Sequence, residues 1–183
     1  MRIISGEARG RTLFAPPGDQ TRPTSDKIRG SLFNILGSRV PDAAVLDLFG
    51  GTGALALEAL SRGAARAVIA DNSRRAIEVI SRNAVNVLKD EVEARVQIMK
   101  SDYRSAIAAL KGRFDLVFLD PPYRMVDVYG DAMERLLDVD ALSGDVVIVC
   151  ERRRDAQISV PDGFEIYDTR SYGETAIDFV RRI

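Results

Sequence analysis

From residue 44 onward the chain repeats one alternation: a short and nearly unbroken apolar run, then a longer stretch with helical periodicity. The apolar runs are Ala44–Leu48, Ala67–Ala70, Arg95–Met99, Phe114–Leu119 and Val146–Cys150. Between them lie Ala54–Arg62, Arg74–Lys89, Arg104–Leu110 and Val128–Leu137. A strand that is apolar at nearly every position has no face it can turn to water, so both faces must be covered. Strands joined through helices run parallel. The pattern therefore predicts an α/β chain with a doubly wound, mostly parallel sheet. After Cys150 the alternation stops, and Phe164–Thr169 and Ala176–Val180, separated by Tyr172-Gly173-Glu174, predict an antiparallel hairpin at the sheet edge.

Residues 1–40 follow a different pattern and are expected to form a small extension, leaving 41–183 as the main domain. Arg2–Ser5 and Arg11–Phe14, separated by a stretch bounded by Gly6 and Gly10, predict a hairpin. Thr24 or Ser25 is suited to capping a helix that Asp26 would favour in its first turn. Ile28, Leu32, Ile35 and Leu36 then fall on one helical face, ending near Gly37. The first 30 residues hold six basic and three acidic groups, a charge of +3, while the whole chain has 26 basic and 27 acidic groups. A basic segment on a mildly acidic body suits a polyanion contact.

Composition removes several chemistries. The 183 residues make about one domain and include no histidine, which excludes imidazole bases, Ser-His-Asp and Cys-His sites, and histidine-held metals. A lone cysteine, Cys150, excludes an internal disulfide and any multi-thiolate metal centre, so no metal is expected; inside an apolar run it is expected to be a buried structural residue. No stretch reaches the roughly 20 apolar residues that span a bilayer, and the N-terminus lacks a signal-peptide core, so a cytoplasmic location is expected.

Open α/β sheets bind ligands at the carboxyl ends of their strands. There the chain places Asp47, then Asp71-Asn72, then Asp102-Tyr103, then Asp120. Gly51-Thr52-Gly53-Ala54-Leu55-Ala56 fits the G-x-G-x-x-G/A dinucleotide pattern, with Asp71 positioned 20 residues after Gly51. That pattern taken alone supports a small NAD-dependent oxidoreductase. The acidic residues argue otherwise. Asp47 entering the loop would repel a pyrophosphate but suit an ammonium group, and S-adenosylmethionine carries an ammonium, a ribose diol, an adenine amine and a sulfonium with no phosphate. Asp47 is then expected at the ammonium, Asp71 at the ribose and Asp102 at the adenine. In Asp120-Pro121-Pro122-Tyr123, two prolines fix a stiff corner that holds a carboxylate, a free carbonyl and a ring together. Two acceptors aimed at the N–H bonds of an amino group on a flat base would favour a more reactive nitrogen, and the ring would stack on the base.

Asp47-Leu48-Phe49-Gly50-Gly51-Thr52-Gly53 together with Asp120-Pro121-Pro122-Tyr123 resembles the class I S-adenosylmethionine-dependent amino-methyltransferases, whose fold is Rossmann-like. More narrowly, nearly the whole chain resembles the RsmD family, the 16S rRNA (guanine-N2)-methyltransferases. That resemblance is carried by Met1-Arg2-Ile3-Ile4-Ser5-Gly6, Arg22-Pro23-Thr24-Ser25-Asp26, Leu57–Ala64 and Tyr172-Gly173-Glu174-Thr175. The resemblance implies that Asp47, Gly50, Gly51, Gly53, Asp71, Asn72, Asp102 and Tyr103 bind the cofactor and that Asp120, Pro121, Pro122 and Tyr123 act on the target base. Arg22 and Thr24 would lie across the site's mouth. Departures from the family's pattern are Gly30, where an acidic residue is frequent, and the less acidic Asp71-Asn72-Ser73.

The implied partner is small-subunit ribosomal RNA or its ribonucleoprotein particle, with no membrane partner and a monomeric chain. Arg2, Arg9, Arg11, Arg22, Lys27 and Arg29 would supply phosphate contacts, and Tyr172 would help position substrate. Arg152-Arg153-Arg154 is a second basic cluster that reads equally well as a solvated loop. DNA adenine-N6 or protein glutamine methylation remains an alternative for the same corner, although no separate target-recognition domain for DNA is evident.

Overall fold

The computed structural model describes residues 1–16 and 25–183. Helix α1 spans Asp26–Leu36, followed by β1 (Ala44–Asp47), α2 (Ala54–Ser61), β2 (Arg66–Asp71), α3 (Arg74–Leu88), α4 (Val92–Arg95) and β3 (Val96–Lys100). The second half comprises α5 (Tyr103–Ala108), β4 (Phe114–Leu119), α6 (Val128–Asp138), β5 (Leu142–Arg153), β6 (Phe164–Tyr172) and β7 (Thr175–Arg182). The strands form one seven-stranded sheet in the order β3-β2-β1-β4-β5-β7-β6. Strands β1 to β5 pair in parallel, and β7 inserts antiparallel between β5 and the edge strand β6. The expected doubly wound sheet with an antiparallel edge hairpin is what forms.

Alternation along each strand divides its side chains between two cores. Val45, Ile69, Leu116, Phe118, Val147 and Val149 face the N-terminal segment, α1, α2 and α3. Leu46, Val68, Val117, Leu119, Ile148 and Cys150 face α5 and α6, with Cys150 fully buried as expected. Strand β5 runs longer than its apolar run predicts because each end keeps one partner: Leu142 pairs with Phe114 of β4, and Glu151, Arg152 and Arg153 pair with Ile177, Ala176 and Thr175 of β7.

The N-terminal segment turns back on itself as expected: Arg2 and Thr12 form an antiparallel bridge, and Ile3 and Leu13 N–H donate across the arms to the Arg11 and Met1 carbonyls at 2.9 and 3.0 Å. It also docks on α2: Ile4 and Ser5 N–H donate to the Glu58 carboxylate at 2.8 and 3.0 Å, and Glu7 N–H donates to the Ser61 carbonyl at 2.8 Å. Helix α1 is capped by Ser25, whose hydroxyl accepts from Ile28 N–H; Thr24 lies outside the described residues. Its buried face is Arg29, Leu32, Phe33 and Leu36, whereas Ile35 is exposed. The helix is rotated by about one residue from the expected stripe because Arg29 faces the buried Glu58, 3.6 Å away. Arg29 also donates to the Arg2 carbonyl and to Asp26, so it is not available to a phosphate.

Candidate cofactor and target-base site

The strand order reverses between β1 and β4, and this crevice collects the predicted acidic edge. Asp47 closes β1 and is 1% exposed, with Oδ1 accepting from Phe49 N–H at 3.3 Å. Burial, and to a lesser extent the Asp71 charge, lift its pKa to about 7 against the partial relief given by Phe49. Asp71 closes β2 and braces the glycine loop: Oδ2 accepts from Gly51 N–H at 2.9 Å and Oδ1 from Ser73 N–H at 2.8 Å. Each oxygen keeps a lone pair for a hydroxyl ligand. Asn72 is exposed beside it.

The glycine loop is shaped by close approach. A Cβ at Gly50 would sit 2.5 Å from Ile69 Cγ2 and 2.9 Å from Ile80 Cδ1, so only glycine fits between β2 and α3 there. Gly53, at φ 79°, takes the left-handed conformation that starts α2. The loop is closed by its own backbone: Gly50 N–H donates to the Ala70 carbonyl at 2.9 Å and Gly53 N–H to the Gly50 carbonyl at 2.7 Å.

Asp102 caps α5, accepting from Ser105 N–H at 3.0 Å and Ser105 Oγ at 2.8 Å, and these bonds hold its carboxyl below the usual range. Tyr103 is 8% exposed; its hydroxyl donates to Asp131 at 2.6 Å, and its ring packs 5.7 Å from that of Phe49. Its ring thus backs the loop residue Phe49, while its hydroxyl is committed to Asp131.

Asp120 follows β4 directly. Burial first, then the charges of Glu151 and Asp47, push its carboxyl well above the ordinary carboxylate range. Asp47, Asp71, Asp102 and Asp120 make no ion pair with any cation among the described residues, and Asp120 accepts no hydrogen bond from them either. Pro122 and Tyr123 are exposed, Tyr123 at 43%. The corner is therefore open, beside the glycine loop, with its acceptor unengaged. A set of carboxylates lacking an internal cation fits a cationic, phosphate-free cofactor and disfavours a dinucleotide.

Outside this edge the predicted contacts separate. Arg9 and Lys27 are exposed. Arg11 is turned inward, donating to the Asn86 and Val87 carbonyls at 2.5 and 3.1 Å, where a guanidinium meets the negative end of α3; it is corrected from a phosphate contact to a helix cap. Tyr172 shares a 2.7 Å hydrogen bond with Ser31 Oγ, joining β6 to α1. Arg22, like Thr24, lies outside the described residues.

Sequence reasoning missed two residues. Glu151 is buried and stands level with Asp120, since Leu119 and Cys150 are partners in the β4–β5 ladder. Asn83 is fully buried in α3 and links two segments: Nδ2 donates to the Phe14 and Thr52 carbonyls at 3.0 and 2.9 Å, and Oδ1 accepts from Phe14 N–H at 2.8 Å. It ties the N-terminal segment to the cofactor loop. A polar residue on a face otherwise made of Ala76, Ile80, Ala84 and Val87 was the available signal.

Comparison with known proteins follows the same line. The family described as Conserved hypothetical protein 95 matches residues 1–181. A putative rRNA methyltransferase of Bacillus subtilis, YlbH, is 35% identical over 100% of this chain and 99% of its own. Ribosomal RNA small subunit methyltransferase D of Escherichia coli K12 is 32% identical over 100% of this chain and 90% of its own. The solved structure of putative methyltransferase yhhF from Escherichia coli superposes with a TM-score of 0.86 at 32% identity, covering 100% of this chain and 97% of that one. Matched along essentially its whole length in sequence and in fold, the chain belongs to this family, the RsmD-type class I methyltransferases.

Proposed function

We propose that this protein transfers a methyl group from S-adenosylmethionine to the exocyclic N2 of a guanine in small-subunit ribosomal RNA. The observation that carries the reading is Asp120: a carboxylate with no internal partner, raised in basicity, on a proline-stiffened corner beside the glycine loop. When bound, the cofactor supplies a methyl on a positively charged sulfur that departs as a neutral thioether.

The chain's own residues supply the rest. Asp47 would meet the cofactor's ammonium and Asp71 its ribose hydroxyls; Asp102 would face the adenine amine with oxygens that Ser105 already orients. Asp120 and the Pro121 carbonyl would accept the two N–H bonds of the guanine amine, drawing its lone pair out of conjugation and toward the methyl. Tyr123 would stack on the base and hold it in line. After transfer the nitrogen carries an extra proton, and Asp120, as a base stronger than an ordinary carboxylate, would take it before release to water.

Residues 1–40 would form the RNA-contacting extension, with Arg2, Arg9 and Lys27 as exposed cations and Arg22 and Thr24 completing the mouth. The substrate would be the ribosomal RNA or its particle, and the chain would act as a cytoplasmic monomer. No helix among the described residues is long and apolar enough to cross a membrane. The test uses purified protein, methyl-labelled S-adenosylmethionine and unmodified small-subunit rRNA or particles. Label recovered as N2-methylguanine, lost in Asp120→Ala with S-adenosylhomocysteine affinity retained, is the expected result. Label appearing in duplex DNA as N6-methyladenine would overturn the substrate assignment.

A further inference from the structure

The acidic edge poses a problem for the substrate just proposed. RNA brings phosphates to a crevice walled by Asp47, Asp71, Asp120 and Glu151, so cations must stand close to the corner for the base to enter. The structure sorts the three consecutive arginines after β5's apolar run into different roles. Arg152 points inward: Nε and Nη2 hold the buried Asp178 at 2.5 and 3.1 Å. Its Nη1 donates to the carbonyls of Arg153, Arg154 and Ala156 at 3.1, 3.3 and 2.7 Å. One guanidinium thus gathers the backbone of a tight turn, closed by Ala156 N–H donating to the Arg153 carbonyl at 3.2 Å. Arg154 N–H pins that turn to the β6–β7 connection, donating to the Glu174 carbonyl at 2.7 Å.

With Leu119 opposite Cys150, Asp120 is level with Glu151 and Pro121 with Arg152, so the turn stands beside the Pro121–Tyr123 corner. Arg153 is held by Asp155 through two 2.9 Å bonds. Arg154 is exposed and makes no ion pair or side-chain hydrogen bond among the described residues; the same is true of Arg124, the residue after Tyr123. Two exposed guanidiniums without an ion pair among the described residues are therefore carried by neighbouring segments, one on the loop after β4 next to Tyr123 in sequence and one on a turn pinned by backbone hydrogen bonds.

We propose that Arg124 and Arg154 form a phosphate clamp for the nucleotides on either side of the target base, with Arg152 as the positioning residue that fixes one arm. The clamp rests on the reading of the protein as an RNA methyltransferase. A guanidinium fork matches two phosphate oxygens, and such contacts set register without reading sequence. An ordered turn supplies this at less entropic cost than a free loop.

The test measures rRNA affinity against salt concentration for the wild-type protein, Arg124→Ala, Arg154→Ala and the double variant. Each lost phosphate contact should flatten the log–log slope by about 0.7, and the double by about 1.4, as expected for single-stranded RNA. The KM for RNA should rise while S-adenosylhomocysteine affinity, read by calorimetry, stays unchanged. Arg154→Lys should restore the slope. Arg113→Ala, which removes an arginine paired with Asp140 before the start of β4, should leave it unaltered. Wild-type slopes in both single variants, with rRNA still methylated, would overturn the clamp and leave the methyl-transfer reading standing. Arginine-dependent slopes with no methylation by the wild-type protein would overturn that reading and leave the clamp.

Discussion

Replacing Asp47 with asparagine should stabilise the cofactor-free protein, by an amount that grows with pH. The Asp47 carboxyl titrates near 7 in the folded chain against 3.8 for the ordinary group, with burial as the main cause. Between those values the folded state keeps a proton that the unfolded state has released, so unfolding releases a proton and stability falls as pH rises. At about 1.4 kcal/mol per pH unit, the carboxylate's cost is nil near pH 4, about 1.6 kcal/mol at pH 5 and levels off at about 4 kcal/mol above pH 7. Asparagine removes the charge and keeps an oxygen for Phe49 N–H. Its new NH2 must find an acceptor, which offsets about 1–2 kcal/mol of the gain. Urea unfolding followed by circular dichroism at pH 5, 6, 7 and 8 measures the difference directly. The variant should gain about 2–3 kcal/mol at pH 8 and little or nothing at pH 5, while losing measurable affinity for S-adenosylhomocysteine. A variant less stable than wild type at pH 8, or a difference that does not change with pH, would refute the assignment of Asp47 as a buried carboxylate waiting for a cation.

The pH profile of kcat/KM should fall on its acid side with a midpoint well above that of an ordinary carboxylate, as Asp120 gains a proton. Glu151→Gln removes the larger of the two charges that raise it and should move that midpoint to lower pH, whereas an unmoved midpoint assigns the limb to another group. Asp120→Asn should lower kcat by about 10²–10⁴-fold with little change in cofactor binding, and single-turnover kinetics read this without interference from product release. Asn83→Asp turns its donations to the Phe14 and Thr52 carbonyls into repulsions and should weaken S-adenosylhomocysteine binding about tenfold or more, because about 1–3 kcal/mol accompanies each buried group left unsatisfied; calorimetry at fixed pH gives the change. Gly30→Ala places a Cβ 3.6 Å from Ile4 Cγ2, an ordinary contact, and replaces glycine inside α1. It should raise the melting temperature by about 2–4 °C, and a lower value would mean that the helix needs glycine there.

The parts of the site legible in the sequence are those set by strand ends. A buried parallel strand has a length fixed by the layer it crosses, so the residues at or just past the end of each apolar run land on one edge, and Asp47, Asp71, Asp102 and Asp120 arrive there together. What could not be read is contact between distant segments. Glu58 lies in the apolar stretch Leu55–Leu60, and its partners Ile4, Ser5, Arg29 and Arg62 come from three parts of the chain. The separation of Asn83 from Phe14 and Thr52, 69 and 31 residues, likewise carries no local signal beyond a polar side chain on an apolar face.

The arginine cluster shows how a local rule could have gone further. Three consecutive cations read as one basic patch when only charge is considered. Continuing the period of two from β5 puts Arg152 on the face of Ile148 and Cys150, which is core, and Arg153 on the opposite side. An arginine carried into a core must meet an acid, and Asp178 of β7, opposite Cys150, is that acid. The same reasoning separates four inward-set carboxylates into two kinds. Asp178 and Glu58 are matched by arginines and hold the fold together, whereas Asp47 and Asp120 have no cation among the described residues and destabilise the empty state. A fold keeps such groups where a ligand completes them: for Asp47 the cofactor's ammonium, and for Asp120 the amine of the base. Stability measured with and without S-adenosylhomocysteine should therefore converge in Asp47→Asn but not in an Asp178 variant that still folds.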